Sequence, residues 1–141
     1  MKPSLGQGLT GVSSMVVTEA MAPRAWADQF AGFADFPATL ATAALVGFVE
    51  QAAMELLAGH LDPGEFSVGV DLELTHTIAS PIGATVTAEL QVLSVEPRSV
   101  LVAVTVSDDE AVISVGQHRR AILNRDRFEQ RLAEKAERLR H

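Results

Sequence analysis

Hydrophobic and polar residues alternate with a period of two over most of the second half of the chain, which predicts strands with one face in a core. The inward-facing positions of the first three predicted strands are Val70, Leu72, Leu74 and Ile78, then Ala84, Val86, Ala88, Leu90 and Val92, then Val100, Val102, Val104 and Val106. A fourth strand is predicted over residues 111–123. Because the turn signals between these strands are short, the four strands are expected to be antiparallel neighbours in a meander.

Residues 37–59 have the pattern of a long helix, with a proline near its start and a glycine near its end. Only Glu50 and Glu55 are charged between residues 40 and 58. A helix that is apolar on nearly all sides is normally buried on nearly all sides. The pattern therefore predicts a helix that lies inside the protein rather than on its surface.

The remaining segments complete the predicted order of elements. Residues 9–19 fit an edge strand, residues 21–35 form an irregular segment with three bulky aromatic side chains, and residues 124–140 fit a charged amphipathic surface helix. A long apolar helix that precedes a meander packs best on the concave face of the curved sheet. The sequence thus predicts an α+β fold in a single domain over residues 1–141, with residues 1–15 as an N-terminal segment and residues 124–141 as a C-terminal surface helix.

Composition narrows the function classes. The chain has 141 residues, 48% of them hydrophobic and 21% charged, and it contains no cysteine. A disulfide framework, a zinc ribbon, an iron–sulfur site and a thiol nucleophile are therefore excluded together. The net charge of -7 disfavours nonspecific binding to nucleic acid or to an anionic membrane.

No segment of the sequence is read as a targeting or spanning segment. The longest uncharged stretch near the middle, residues 36–49, is shorter than the roughly 20 residues that a bilayer span requires. The first eight residues contain no apolar core of a signal peptide. The expectation is a cytoplasmic protein.

Three residues on the predicted elements could carry chemistry. His76 shares the inward face of its strand and is either a core histidine with its hydrogen bonds satisfied or a site residue. Glu50 lies either on an exposed strip of the helix or in a buried position, where a carboxylate needs a partner. Thr42 stands eight residues before Glu50, about 12 Å away along a straight helix. The two could share a reaction through a substrate that spans them, a helix irregularity near Gly47, or a site built from two chains.

Residues 116–120 read Gly-Gln-His-Arg-Arg on a late strand, and alternation sends Arg119 and Arg120 to opposite faces. At most one of the two arginines therefore faces a given ligand. Phosphate-binding glycine loops, a dinucleotide fingerprint, a serine elbow and an HExxH pair are absent from the sequence.

An ordered set of short motifs resembles the hotdog-fold acyl-CoA thioesterases, most closely the fluoroacetyl-CoA thioesterase-like family. The motifs are Phe-Ala-Asp-Phe-Pro at 33–37, Ala-Thr at 41–42 continuing into Val-Gly-Phe-Val-Glu at 46–50, Asp-Pro-Gly-Glu-Phe-Ser-Val-Gly at 62–69, Leu-Thr-His-Thr at 74–77, Ser-Pro-Ile-Gly at 80–83 and Gly-Gln-His-Arg-Arg-Ala at 116–121. The similarity runs from about residue 16 to residue 123, which is nearly the whole domain.

The resemblance implies a hotdog fold, in which a curved antiparallel sheet of five or six strands wraps a long central helix. It also implies a homodimer, or a higher assembly, with active sites at the interface. The site residues that it implies are Thr42, Glu50 and His76 for catalysis, Gly69 and Arg120 for substrate contact, and Phe33 and Phe36 as a lid over the acyl pocket. Trp26 is peculiar to this chain within the lid segment.

The implied reaction is hydrolysis of a short or small acyl-CoA to a carboxylate and free coenzyme A, with no separate cofactor or metal because coenzyme A is part of the substrate. Glu50 would act as nucleophile or as the base for water, His76 would shuttle a proton, and Thr42 would position the thioester or contribute its hydroxyl. Backbone N–H groups near Gly69 would stabilise the oxyanion, and Arg120, aided by Arg119, would contact the coenzyme. The acyl group, and the choice between an acyl-enzyme and direct water attack, stay open.

Two other functions are compatible with the same fold. A non-catalytic module could bind acyl-CoA without turnover. An enoyl-CoA hydratase would use an aspartate and a histidine five residues apart, but Asp71 and His76 are predicted on opposite strand faces. Hydratase activity is therefore the weaker alternative.

Overall fold

A computed structural model of the chain describes residues 1–140, which form five β-strands and two α-helices. In chain order the elements are β1 (Thr10–Val16), α1 (Thr42–Leu57), β2 (Glu65–Leu74), β3 (Thr85–Glu96), β4 (Ser99–Ser107), β5 (Val112–Asn124) and α2 (Arg125–Leu139). Short 3-10 turns lie before and after α1, at Glu19–Met21, Pro23–Trp26, Ala31–Phe33 and Ala58–His60. The predicted α+β class and order of elements are confirmed.

The strands form one antiparallel sheet in the order β1-β3-β4-β5-β2. The prediction that the second strand pairs with the third is wrong, because β2 lies at the far edge of the sheet and pairs with β5. The side of β3 that does not face β4 is paired with β1 over residues 85–91. Residues 75–84 therefore form a connection between the two sides of the sheet rather than a tight hairpin.

The alternation predicted for β3 and β4 is confirmed, since every second residue is buried from Val86 to Val92 on β3 and from Val100 to Val106 on β4. These residues pack with one side of α1 in a single core; the side chains buried in it from the helix are Leu45, Phe48, Val49, Ala52, Ala53 and Leu57. A fully buried aliphatic or aromatic side chain contributes about 1.5–3 kcal/mol relative to exposure. Burial of this face is therefore what holds α1 on the concave side of the sheet.

A β-bulge interrupts β2. Gly69 lies opposite Arg120 and Asp71 lies opposite Arg119, so Val70 is an extra residue with no partner on β5. The bulge shifts the alternation, and Val70 is 56% exposed. The prediction that Val70 shares the inward face of Leu72 is therefore wrong.

The predicted second strand also ends earlier than expected, at Leu74. The chain stays extended for a few residues more, because the amides of Thr75 and Thr77 still donate to the carbonyls of Val115 and Ile113. Ile78 is exposed, so the prediction that it continues the inward face is wrong.

One side of α1 is not covered by the sheet. Its exposed apolar positions are Ala43, Gly47 and Met54, and the exposed Ala58 follows directly after the helix on the same side. These positions form a strip of mostly small side chains along the helix, on the side opposite the core. The single chain therefore leaves part of the largely apolar surface of α1 exposed.

The C-terminal helix α2 is a surface helix, as predicted. Its first turn is capped by Asn124, whose side chain accepts a hydrogen bond from the amide of Arg127. Phe128 packs edge-on against Phe66 of β2, with ring centroids 5.2 Å apart. Within residues 1–140, no helix is long and apolar enough to cross a membrane.

The close pairing of β5 with β2 depends on Gly116. A Cβ atom at this position would overlap the backbone carbonyl of Glu73, which cannot move without breaking the strand pair. We expect Gly116→Ala to lower the free energy of unfolding by about 3 kcal/mol or more, the upper end of overpacking costs. Urea unfolding measures this loss.

Gly6→Ala is the matched control, because no atom lies within 4 Å of a Cβ built at Gly6. A Gly116→Ala protein as stable as the Gly6→Ala protein would contradict the register described for β2 and β5.

Candidate active site

Thr42 and His76 form a hydrogen-bonded pair at the start of α1. Thr42 is the first residue of the helix, and His76 lies in the extended segment after β2. The Thr42 Oγ1 atom lies 2.8 Å from His76 Nδ1. The structure thus brings together two of the residues predicted from the sequence, although they are 34 positions apart.

Burial lowers the pKa of His76 below its ordinary value of 6.5. The imidazole is therefore neutral at pH 7, and one of its two nitrogens carries a lone pair. When that lone pair is on Nδ1, it accepts the hydroxyl proton of Thr42. His76 Nε2 is buried without a hydrogen-bond partner in residues 1–140. This pair has the geometry of a hydroxyl next to a general base.

A buried serine holds the segments that carry this pair. The Ser80 carbonyl accepts hydrogen bonds from the Leu40 amide and the Thr39 hydroxyl. Its own hydroxyl donates to Asp108 Oδ2 at 2.8 Å, in the turn between β4 and β5. Ser80 therefore joins the segment before Thr42 to the segment after His76.

A cavity of about 380 Å³ opens beside the Thr42–His76 pair. Its lining includes Phe33 and Phe36 from the irregular segment, together with Ile78. The two phenyl rings contact each other edge-on, with centroids 6.2 Å apart. Phe33 and Phe36 thus line the cavity, and their role as a lid stays a prediction; Trp26 is not among the lining residues.

Glu50 lies on a different part of α1, against β2 and β5. Its Oε2 atom accepts a hydrogen bond from Arg120 Nη1 at 2.9 Å, and this contact is an ion pair. A Cβ atom at Gly69 would lie 2.8 Å from the same oxygen, so a side chain there would push the carboxylate away. The Oε1 atom makes no hydrogen bond to any residue in the described part of the chain.

The helix runs without a break from Thr42 through Gly47 to Glu50. Of the three ways in which Thr42 and Glu50 could share a reaction, an irregular helix is therefore removed. Eight helical residues separate their backbones by about 12 Å. The single chain brings Thr42 to His76 but does not bring either of them into hydrogen-bond contact with Glu50.

Arg120 is buried rather than solvated. Its side chain is 2% exposed, and it donates hydrogen bonds to Glu50, His118 and Ser67. Arg119 points to the other face of β5, as alternation predicted, and donates to Ser99. A contact between Arg120 and the coenzyme stays a prediction, since the groups that the guanidinium meets here belong to the protein.

His118 is a buried residue near Glu50 that the sequence analysis did not single out. It lies two residues before Arg120, so the period of two places both side chains on the same face. This two-residue spacing from Arg120 was the sequence signal that could have identified His118 as a neighbour of the site. The Asp71–His76 pairing that a hydratase would need is not formed: His76 Nδ1 is paired with Thr42, and no hydrogen bond joins the Asp71 carboxylate to His76 within residues 1–140. The backbone carbonyl of Asp71 contacts His118.

Within residues 1–140, no three histidine, aspartate or glutamate side chains lie close enough together to hold a metal ion.

One helix inside a five-stranded antiparallel sheet, with a polar pair at the helix start beside an apolar cavity, is the architecture of a hotdog-fold protein. A Thermus thermophilus protein described as a thioesterase superfamily member has this fold, with a TM-score of 0.89 at 24% identity over 99% of this chain and 98% of that chain.

The chain belongs to the family described as fluoroacetyl-CoA-specific thioesterase, whose model matches residues 17–126. The fluoroacetyl-CoA thioesterase of Streptantibioticus cattleyicolor is 38% identical over 103 residues, which are 73% of this chain and 74% of that protein. A mutant fluoroacetyl-CoA-specific thioesterase solved with fluoroacetate and CoA is 33% identical and superposes with a TM-score of 0.85, over 88% of this chain and 99% of that chain.

The half-buried His76 and the buried His118 make stability depend on pH. Burial is the main cause that lowers the pKa of His76 and of His118 below 6.5 in the folded protein. Below pH 6.5 the unfolded chain binds protons that the folded chain does not, so stability is lost as the pH falls. We expect the urea midpoint to be lower at pH 5.5 than at pH 7.5.

The double variant His76→Gln/His118→Gln should show a smaller difference between the two pH values. The carboxylates of Asp108 and Glu65 titrate below this window, since their pKa values are lowered from 3.8 and 4.5. A pH dependence equal to that of the wild type in the double variant would contradict the assignment.

Proposed function

We propose that this protein hydrolyses the thioester of a small acyl-CoA to a carboxylate and free coenzyme A. The observation that carries the proposal is the hydrogen bond between Thr42 and His76 at the side of an apolar cavity. Membership of a thioesterase family supports it independently. The aromatic lining by Phe33 and Phe36 fits a small acyl group.

Thioester hydrolysis requires a nucleophile at the carbonyl carbon, cleavage of the C–S bond and a proton for the leaving sulfur. If Thr42 attacks, a neutral His76 takes its hydroxyl proton and gives that proton to the sulfur of coenzyme A as the C–S bond breaks. A water deprotonated by His76 then hydrolyses the Thr42 ester, and the proton returns to the Thr42 oxygen. If a water held by Thr42 attacks instead, His76 passes the proton of that water to the sulfur. Thr42 either positions the thioester or contributes its hydroxyl to the attack.

Glu50 supplies the carboxylate of the proposed site. Arg120 holds its Oε2 atom, and the Oε1 atom is the one available to a water or to the acyl carbon. Both proposed roles of Glu50, as base for water and as nucleophile, use Oε1. Gly69 contributes by lacking a side chain where the carboxylate approaches β2.

The protein acts as a homodimer in this proposal. The apolar strip of α1 and the edge strand β2, which includes the exposed Val70, offer surface that a second copy would cover. The separation of Glu50 from the Thr42–His76 pair is the second argument for a dimer, because Glu50 of the partner subunit could complete the site.

The proposal includes a cytoplasmic location, where acyl-CoA substrates are found; cell fractionation tests it.

Activity is tested by the release of free thiol from a panel of acyl-CoA substrates with increasing chain length. We expect hydrolysis of the shortest acyl groups by the wild type, and a loss of about tenfold or more in kcat/KM for Glu50→Gln and for His76→Ala. Each variant removes one group that handles a proton or attacks the carbonyl carbon.

His60→Ala is the matched control, because His60 contacts Ser4 away from the cavity. Unchanged thiol release in both site variants would contradict the site assignment. Binding of coenzyme A without release from any acyl-CoA would instead favour a non-catalytic module.

A mixing experiment tests whether two chains share one site. Glu50→Gln and His76→Ala subunits alone are expected to keep at most about a tenth of wild-type activity, but their heterodimer would contain one site with both native residues. After random exchange of subunits we expect about a quarter of wild-type activity, since about half of the dimers are mixed and each has one intact site.

A mixture with no more activity than its parents, once exchange has been verified by mass spectrometry, would show that each site is built from one chain.

A further inference from the structure

His118 is a buried histidine whose two ring nitrogens are both hydrogen-bonded, and none of the proposed catalytic steps uses it. It lies on β5 and is 2% exposed. Its Nδ1 atom is 2.9 Å from the carbonyl oxygen of Asp71. A carbonyl oxygen only accepts hydrogen bonds, so the proton is on Nδ1.

The contact of the second ring nitrogen indicates the same protonation state independently. His118 Nε2 lies 3.0 Å from Arg120 Nη1. A guanidinium only donates hydrogen bonds, so Nε2 must carry a lone pair. Both contacts therefore specify one state of His118, a neutral ring with its proton on Nδ1.

Arg120 Nη1 has two N–H groups, and the contacts use both of them. One points to His118 Nε2 and the other to Glu50 Oε2, 2.9 Å away. The rest of the guanidinium is fixed by Ser67, whose hydroxyl accepts from Nε and whose carbonyl accepts from Nη2. Ser67 and His118 thus set the plane of the guanidinium, and that plane sets where Glu50 Oε2 lies.

The bulge in β2 takes part in this arrangement. Asp71, whose carbonyl fixes the proton of His118, is the residue directly after the unpaired Val70. The charged groups that face His118 are Arg120 from its own strand, Glu50 from α1 and Asp71 from β2. A proton added to Nε2 would place a donor against a donor of Arg120, so the chain of hydrogen bonds requires neutral His118.

We propose that His118 is a positioning residue for Glu50: it accepts a hydrogen bond from Arg120 and thereby aims the guanidinium at Glu50 Oε2, which leaves Oε1 directed at the reaction. This inference rests on the role proposed above for Glu50. His118 itself touches no reacting atom.

Three variants test the role by steady-state kinetics on the best short acyl-CoA. His118→Leu removes both hydrogen bonds, and His118→Gln keeps an acceptor that can reach Arg120. Gln117→Leu is the control, on the exposed face of the same strand. We expect kcat of the folded His118→Leu protein to fall about tenfold with KM within about twofold, and His118→Gln to recover at least about a third of the wild-type kcat.

A merely structural role would lower the stability of both His118 variants and leave kcat per folded molecule unchanged. A His118→Leu protein with wild-type kcat, or a His118→Gln protein no more active than His118→Leu, would overturn the proposal.

Nitrogen-15 NMR of the histidine rings gives a readout that does not depend on activity. The His118 signals, assigned by their loss in His118→Gln, should show a protonated Nδ1 and an unprotonated Nε2 at pH 7. A protonated Nε2 would overturn the proposal even if the enzyme is active. Absence of thiol release by the wild type, with the expected NMR spectrum, would instead count against the proposed function.

Discussion

The ion pair between Glu50 and Arg120 fixes the helix against the sheet, and most of the local structure around it follows from this contact. Arg120 is almost completely buried, so its charge needs a partner. Removing one partner of a buried pair costs about 3–5 kcal/mol, and the partial exposure of Glu50 moves the cost here toward or below the lower value. The pair also explains why Gly69 has no side chain.

The same contact keeps one part of the proposed site away from the other. Because α1 is a regular helix, anchoring Glu50 to the sheet also fixes Thr42 two turns away, where it meets His76 and the cavity. The distance between these groups is a property of the helix and not of a side-chain conformation. A second chain could cover the apolar strip on α1 and, in the same assembly, complete the site.

Rigidity around the site comes from backbone carbonyls as much as from side chains. The Ser80 carbonyl holds the segment before Thr42, and the Asp71 carbonyl fixes the proton of His118. Both carbonyls belong to residues in or beside irregular backbone, where the main chain is free to bond outside a regular ladder. The regular strands and the helix bring these segments close together. The hydrogen bonds of the irregular segments then fix the positions of the site groups.

The sequence predicted the elements well, because periodicity reports directly on burial. Val86 and Val102, for example, are buried as their alternation required. Strand order was predicted incorrectly, since the turn after Ile78 does not reveal that β1 occupies the neighbouring edge of β3. The bulge at Val70 was also missed, because this extra residue is apolar and continues the alternation of Leu72 and Leu74 in the sequence.

Site residues could be predicted from the sequence only where the family motifs identify them. Thr42 and His76 meet as those motifs imply, and periodicity correctly separated Arg119 from Arg120. The burial of Arg120 against Glu50 could not be predicted, since it depends on which strand face lies under α1. His118 was missed for the same reason, although its two-residue spacing from Arg120 was visible.

The central claim is that Glu50 of one chain acts on a thioester held by Thr42 and His76 of another. A crystal structure with a non-hydrolysable thioether analogue of a short acyl-CoA tests this most directly. The account predicts a dimer in which the acyl carbonyl lies between the Thr42–His76 pair of one subunit and the Glu50 Oε1 atom of its partner. An analogue bound with no Glu50 carboxylate of either subunit near its carbonyl would contradict it.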